Sequence, residues 1–219
     1  MKHPPNWTLS VKDAKRDFIL QAAREEFMEK GLDGATMRGI SLRAGCTTGA
    51  IYPLFDSKET IYAALLGQSL SRLDTHVAEA VVPTQPAAAQ VEAACAAFLA
   101  YYLQHPFEVN LGLYAFSGLK RLGVGRSSDR ALNDALWAVL ERIARPLAVA
   151  RTLPENAVRP QVALLFSQMI GALVLQLAGR LDALETSPAD LLRLLLAQLL
   201  PATPVSRNTP RKPPTTRSP

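Results

Sequence analysis

The segment GLDGATMRGISLRAGCTTGAIYPLFDSKE, residues 31–59, constrains the fold of this chain more than any other. Gly31, Gly45 and Pro53 interrupt any long helix and leave room only for short helical pieces. Thr36 is placed to cap the first, Met37 to Ala44, closed by Gly45. Thr47 is placed to cap the second, which carries Ile51, Leu54 and Phe55 at helical spacing and ends near Leu54 or Phe55. Ser57 then caps a longer helix with Lys58 and Glu59 in its first turn. Two short helices joined by AGCT, with Gly45 supplying the tight turn, predict a helix-turn-helix. In that geometry the second helix enters the major groove while the first crosses the phosphate backbone.

The rest of the chain supplies helices to support this unit. Residues 1–11 read as a loose arm. A helix from about Asp13 to Lys30 presents Phe18, Ile19, Ala22, Ala23 and Phe27 as one apolar stripe, with Gly31 as its stop. Ile40, Ala44, Ile51 and Phe55 are expected to pack on Phe18, Ala22 and Phe27. The helix from Ser57 runs to about Ala80, and VVPTQPA beyond it is the expected hinge. Helical patterns follow over 86–104, 106–120, 129–150, 155–183 and 188–200. Ala and Leu are plentiful, aromatics are only 6%, and no window alternates apolar with polar residues, so the fold class is all-α. After Pro201 the chain is rich in Pro, Thr, Ser and Arg and reads as a disordered tail, 201–219.

Charge and special residues narrow the function classes. Of the net +5, four charges belong to Arg207, Arg211, Lys212 and Arg217, which leaves +1 for residues 1–200. Any basic face is therefore local. Cys46 and Cys95 make no disulfide framework, and Cys95 in VEAACAAFLAYY reads as a small core residue. MKHPPNWTLS lacks the apolar region of a signal peptide, and Val162–Leu177 is interrupted by Ser167, Gln168 and Gln176. A cytoplasmic protein without a membrane span is expected. His3, His76 and His105 show no zinc spacing, and no catalytic triad, carboxylate pair or phosphate loop stands out. No metal, cofactor or enzymatic activity is expected.

ILQAAREEFMEKGLDGATMRGISLRAGCTTGAIYPLFDSKETIYAALL resembles the N-terminal DNA-binding domain of the TetR family of transcriptional repressors over residues 16–66. The ordered motifs F-x-E-x-G, I-x-x-x-A-G, T-G-x-I-Y-x-x-F and S-K-E carry the likeness. It implies a DNA-binding domain at 12–66 with a recognition helix near 48–54, and a helical ligand-binding and dimerisation domain at 67–200. It also implies that Thr36, Thr47, Tyr52 and Lys58 meet phosphates while Arg38, Thr48, Gly49, Ala50 and Pro53 approach base edges. The chemistry agrees: a threonine cap leaves backbone N–H groups facing an anion, and Arg38 has the fork that reads guanine.

By the same resemblance, the implied partners are a palindromic double-stranded DNA operator, a small effector and a second copy of the chain. Aromatic-rich positions nominate Phe98, Tyr101, Tyr102, Tyr114, Phe116, Trp137, Phe166 and Met169 for an effector pocket suited to an apolar or aromatic molecule. RPQVALLFSQMIGALVLQLAGRL is apolar nearly all round, so with ADLLRLLLAQLL it suggests a two-helix share of a four-helix interface. Its nominated residues are Gly171, Val174, Leu175, Ala178, Leu192, Leu195 and Leu196. The alternatives are an architectural DNA-binding protein without sequence preference, and an all-α ligand carrier or enzyme.

Overall fold

A computed structural model describes residues 6–114 and 126–200. Every regular element among them is helical, as the composition predicts. The order is α1 (Asn6–Gly34), α2 (Met37–Arg43), a 3-10 turn (Thr48–Ala50), α3 (Lys58–Ala80), α4 (Ala87–Gln104), α5 (Pro106–Tyr114), α6 (Arg126–Arg151), α7 (Glu155–Leu177), α8 (Arg180–Ala183) and α9 (Pro188–Leu199).

α3 is the axis of the molecule. It packs against α1 on one side and against α4, α5 and α6 on the other. Ile61, Tyr62, Leu65, Leu66, Leu70, Leu73 and Val77 form its buried stripe, so one helix belongs to both cores. α7 lies on α4 and α6, and α9 closes over α4 and α7. Ser57 begins α3 with a capping box: its Oγ accepts from the Thr60 N–H at 3.3 Å, and its own N–H donates to Thr60 Oγ1 at 3.2 Å.

Several expectations are corrected. α1 starts at Asn6, directly after Pro4-Pro5 in sequence, so residues 6–11 are helix and not arm. Phe18 is 74% exposed; the buried stripe is Ile19, Leu20, Ala22, Ala23, Glu26 and Phe27, one step around the helix. The expected 155–183 helix breaks at Gly179, whose φ of 66° separates α7 from α8. α7 itself is long and apolar enough to cross a membrane by length and composition, which its three polar interruptions had argued against. Here Val162, Leu165, Met169 and Leu173 bury one side of it in the bundle. The end of the helix expected at 106–120, and the tail at 201–219, lie outside the described residues.

Candidate nucleic-acid interface

The interface grows out of how α2 is docked. Thr36 has extended backbone, and its Oγ1 accepts from the Gly39 N–H at 3.0 Å, as an N-cap should. Gly45 turns the chain at φ 62°, and Ile40, Ile51 and Phe55 are buried beneath the pair. Arg16 lies over the Phe55 ring, 5.0 Å from its centre.

Glu26 locks this arrangement, and the sequence reading passed over it. It is 1% exposed on the inner face of α1. Its carboxylate accepts from Arg43 Nε at 2.6 Å and from Lys30 Nζ at 2.8 Å. Those bonds, Arg43 first, hold its pKa below the ordinary carboxylate value against the opposing effect of burial. Arg43 also binds Glu29. Gly39 rests on the same carboxylate: a Cβ there would lie 2.7 Å from Glu26 Cδ and closer still to Oε1. A charge inside an apolar stripe was the signal available in the sequence.

The expected recognition helix is shorter than predicted. Only Thr48–Ala50 is helical, and as a 3-10 turn; residues 51–54 continue as turns. The Ala50 N–H donates to the Thr47 carbonyl at 2.9 Å and the Ile51 N–H to Thr48 at 3.0 Å, both i→i+3 bonds. Gly49 disfavours helix and Pro53 supplies no N–H, so this tight turn replaces two α-turns. Thr47 has the extended backbone of a cap residue, but its side chain makes no cap bond. Thr48 Oγ1 instead meets Ser41 Oγ at 3.1 Å, and Ser41 Oγ donates to the Arg38 carbonyl at 2.9 Å. Nothing in the sequence marks Ser41.

The nominated residues differ in exposure and in partners. Thr36, Arg38, Thr47, Gly49, Tyr52 and Pro53 are exposed, and Thr48 and Ala50 are half-buried. Arg38 has no ion pair among the described residues, whereas Arg43 on the same helix has two. A Cβ on Gly49 would meet no atom within 4 Å, and its φ is not positive. Nothing within the described chain requires glycine there. Lys58 behaves differently from the expectation. Its ammonium donates to the carbonyls of Leu32, Asp33 and Ala35 at 2.8, 3.2 and 3.1 Å. All three of its N–H groups are thereby engaged at the end of α1.

Comparison with known proteins matches this geometry. Residues 19–65 match the family described as bacterial regulatory proteins, tetR family, and residues 91–199 match the tetracyclin repressor-like C-terminal domain. The chain belongs to the TetR family. The transcriptional repressor AcnR of Corynebacterium diphtheriae is 38% identical over 65 residues, 30% of this chain and 34% of that protein. The repressor KstR2 of Rhodococcus jostii is 34% identical over 93 residues, 42% of this chain and 46% of that protein. The matches thus span between a third and a half of these relatives. The regulator FadR from Bacillus subtilis, solved in complex with stearoyl-CoA, shares the fold with a TM-score of 0.66. It is 16% identical, over 84% of this chain and 96% of that one.

Beyond residues 19–65 of this TetR-family chain, the other nominated residues divide. Phe98, Tyr101, Tyr102 and Met169 are buried, and Phe166 is half-buried. Phe98 packs edge-on against Tyr102 at 5.0 Å and against Phe166 at 6.1 Å, so these rings form one aromatic cluster. Trp137 is half-buried beneath Arg159, 4.2 Å from its ring centre. The Tyr114 side chain and Phe116 lie outside the described residues. On α7, Gly171, Val174 and Leu175 are exposed, as is Ala178 at its end, and a groove of about 200 Å³ runs between α7 and α9. Leu195 is half-buried at that groove, but Leu192 and Leu196 turn into their own core. Leu164, Leu177 and Leu194 are exposed instead, with Leu194 at 63%.

Of the side chains that tie α3 to α4, α5 and α6, only Tyr101 was nominated from the sequence, as a pocket residue. Glu108 on α5 is 2% exposed. It accepts from Ser69 Oγ and the Tyr101 hydroxyl, each at 2.6 Å, and from Arg72 Nη2 at 2.6 Å. Burial alone would raise its pKa; the Ser69, Tyr101 and Arg72 bonds outweigh burial and hold it below the usual value. Arg142 on α6 grips Asp74 on α3 through both carboxylate oxygens, at 2.9 and 3.0 Å. α3 is thus hydrogen-bonded to α4, α5 and α6 as well as packed on them.

Proposed function

We propose that this chain is a sequence-specific DNA-binding repressor that acts as a homodimer on an inverted-repeat operator and is released by a small apolar or aromatic effector. The observation that carries the reading is the docked unit of α2 and the turn: Thr36 caps α2, Gly45 turns the chain, and Ile40, Ile51 and Phe55 are buried beneath the Thr48–Ala50 turn, within residues 19–65 that match the TetR family. Gly49 is exposed in that turn, and a Cβ there would meet no atom within 4 Å. Without a Cβ its backbone can approach base edges closely. Thr36 keeps its hydroxyl proton for a phosphate, since the cap bond uses it only as an acceptor. Tyr52 and Arg38 are exposed, and Arg38 has no ion pair among the described residues. Lys58 acts as a positioning residue that fixes the end of α1 beside the start of α3.

The remaining parts fit this reading. The two domains are 12–66 and 67–200, and they share α3. The exposed apolar residues of α7 and α9 suit the second copy that an inverted repeat requires, with recognition turns about 34 Å apart. FadR with its bound stearoyl-CoA supports an effector with substantial apolar surface. Effector binding in the central helices would move α3 through the Glu108 and Arg142 contacts and respace the two DNA heads. It does so only by binding the respaced state more tightly.

The test is selection by the purified protein from a randomised duplex pool, followed by titration of the winning sequence at two salt concentrations. An enriched inverted repeat bound by a dimer is the expected result. Salt-sensitive binding without an enriched motif would establish an architectural protein instead.

A further inference from the structure

The hydroxyl relay beneath the recognition turn has a direction. The Arg38 carbonyl can only accept, so the single hydroxyl proton of Ser41 lies on its 2.9 Å bond to that oxygen. The 3.1 Å contact between Ser41 Oγ and Thr48 Oγ1 must then be filled by the proton of Thr48. Ser41 is 4% exposed, so its hydroxyl depends on these two bonds. Thr48 is half-buried, so part of the residue remains accessible. With its proton committed to Ser41, its oxygen has only lone pairs left to offer.

Acceptors in the major groove find their complement in exocyclic amines. Adenine N6 and cytosine N4 donate there, whereas guanine O6 and N7 and thymine O4 accept. We infer that Thr48 selects an amino-bearing base, adenine or cytosine, and that the buried Ser41 sets this selectivity without touching DNA. The inference rests on the proposed function, since it needs the turn to enter the groove. Ser41 is here a positioning residue: it orients one proton of a neighbour.

The experiment is the same duplex selection carried out with the full-length wild-type protein, Thr48→Val and Ser41→Ala. Thr48→Val keeps the shape and the methyl group and removes the hydroxyl. It identifies the position that Thr48 faces as the one whose preference it changes. The wild type is expected to favour adenine or cytosine over guanine or thymine on the contacted strand at that position, by about fivefold for one hydrogen bond. Ser41→Ala frees the Thr48 proton to turn outward, so the preference there should collapse toward unity while the rest of the repeat is unchanged. A merely structural role for Ser41 would weaken binding to all sequences alike and leave that ratio standing. A guanine or thymine preference in the wild type, or a Ser41→Ala profile identical to wild type at that position, overturns the inference. So does a Thr48→Val profile that changes nowhere. A pool without any enriched motif removes the proposed function and this inference together; an intact repeat that Ser41→Ala leaves untouched removes only the inference.

Discussion

At the scale of single residues, two glycines make opposite predictions. Gly39 faces a carboxylate held by Arg43 and Lys30, which cannot withdraw without breaking those bonds. Gly39→Ala should cost about 1–3 kcal/mol of stability, read as a lower urea midpoint. Gly49 faces open space. Gly49→Ala should leave the fold as stable or raise it by about 0.5 kcal/mol, through the smaller entropy of the unfolded chain. On operator DNA the same change should weaken binding by about tenfold, or about 1.4 kcal/mol. Unchanged affinity would show that the DNA does not approach residue 49. Cys95 is fully buried, and burial pushes its thiol up to about 12, so a thiol reagent should label it only as the protein unfolds.

At the scale of elements, the junction of α1, α2 and α3 is held by polar groups. Lys58 caps the carbonyl end of α1, so Lys58→Met should lower stability by about 1–2 kcal/mol. Operator affinity should fall with it while the slope of log K against log salt stays constant. A direct phosphate contact would instead reduce that slope by about 0.9. Glu26 and Glu108 predict the response to acid. Both have folded pKa values held below the ordinary carboxylate value of 4.5. Their stabilisation is therefore complete above that pH and is lost as pH falls toward the lower folded values. Urea midpoints measured between pH 7 and pH 3 should drop below about pH 4.5, and Glu26→Gln should shrink that drop. A midpoint curve unaltered by Glu26→Gln would mean that Glu26 titrates as it does in the unfolded chain.

At the scale of the whole molecule, the exposed leucines of α7 and α9 are the surface on which the proposed second copy is tested. Val174 and Leu175 are each 40% exposed beside the groove that Leu191 and Leu195 line. A charge placed on that face meets its own copy in a two-fold dimer. Leu175→Glu should yield monomers in sedimentation analysis and lose tight binding to an inverted repeat, while helix content is retained. A dimer that survives Leu175→Glu would put the interface elsewhere.

Fold class, helix order and the helix-turn-helix were legible in the sequence because they follow from local chemistry. Thr36, Ser57, Gly45 and Gly31, whose φ of 67° kinks α1 where the sequence placed its stop, act on backbone within four residues of themselves, and apolar spacing reports which face of a helix is buried. Exposure of Phe18 and inward rotation of Leu192 and Leu196 were not legible, because each turns on a rotation about the helix axis that neighbouring helices decide. The shortening of the recognition helix was half-visible in Gly49 and Pro53, yet the 3-10 geometry needed the packed Ile51 to fix it. Glu26 with Arg43, Glu108 with Ser69 and Arg72, and Lys58 with three distant carbonyls join residues 17 to 39 positions apart. No period in the chain encodes such pairs. Sequence alone determined which helices form and what kind of surface they present; tertiary packing decided which polar groups hold them, because a buried charge takes its partner from whatever the fold brings within reach.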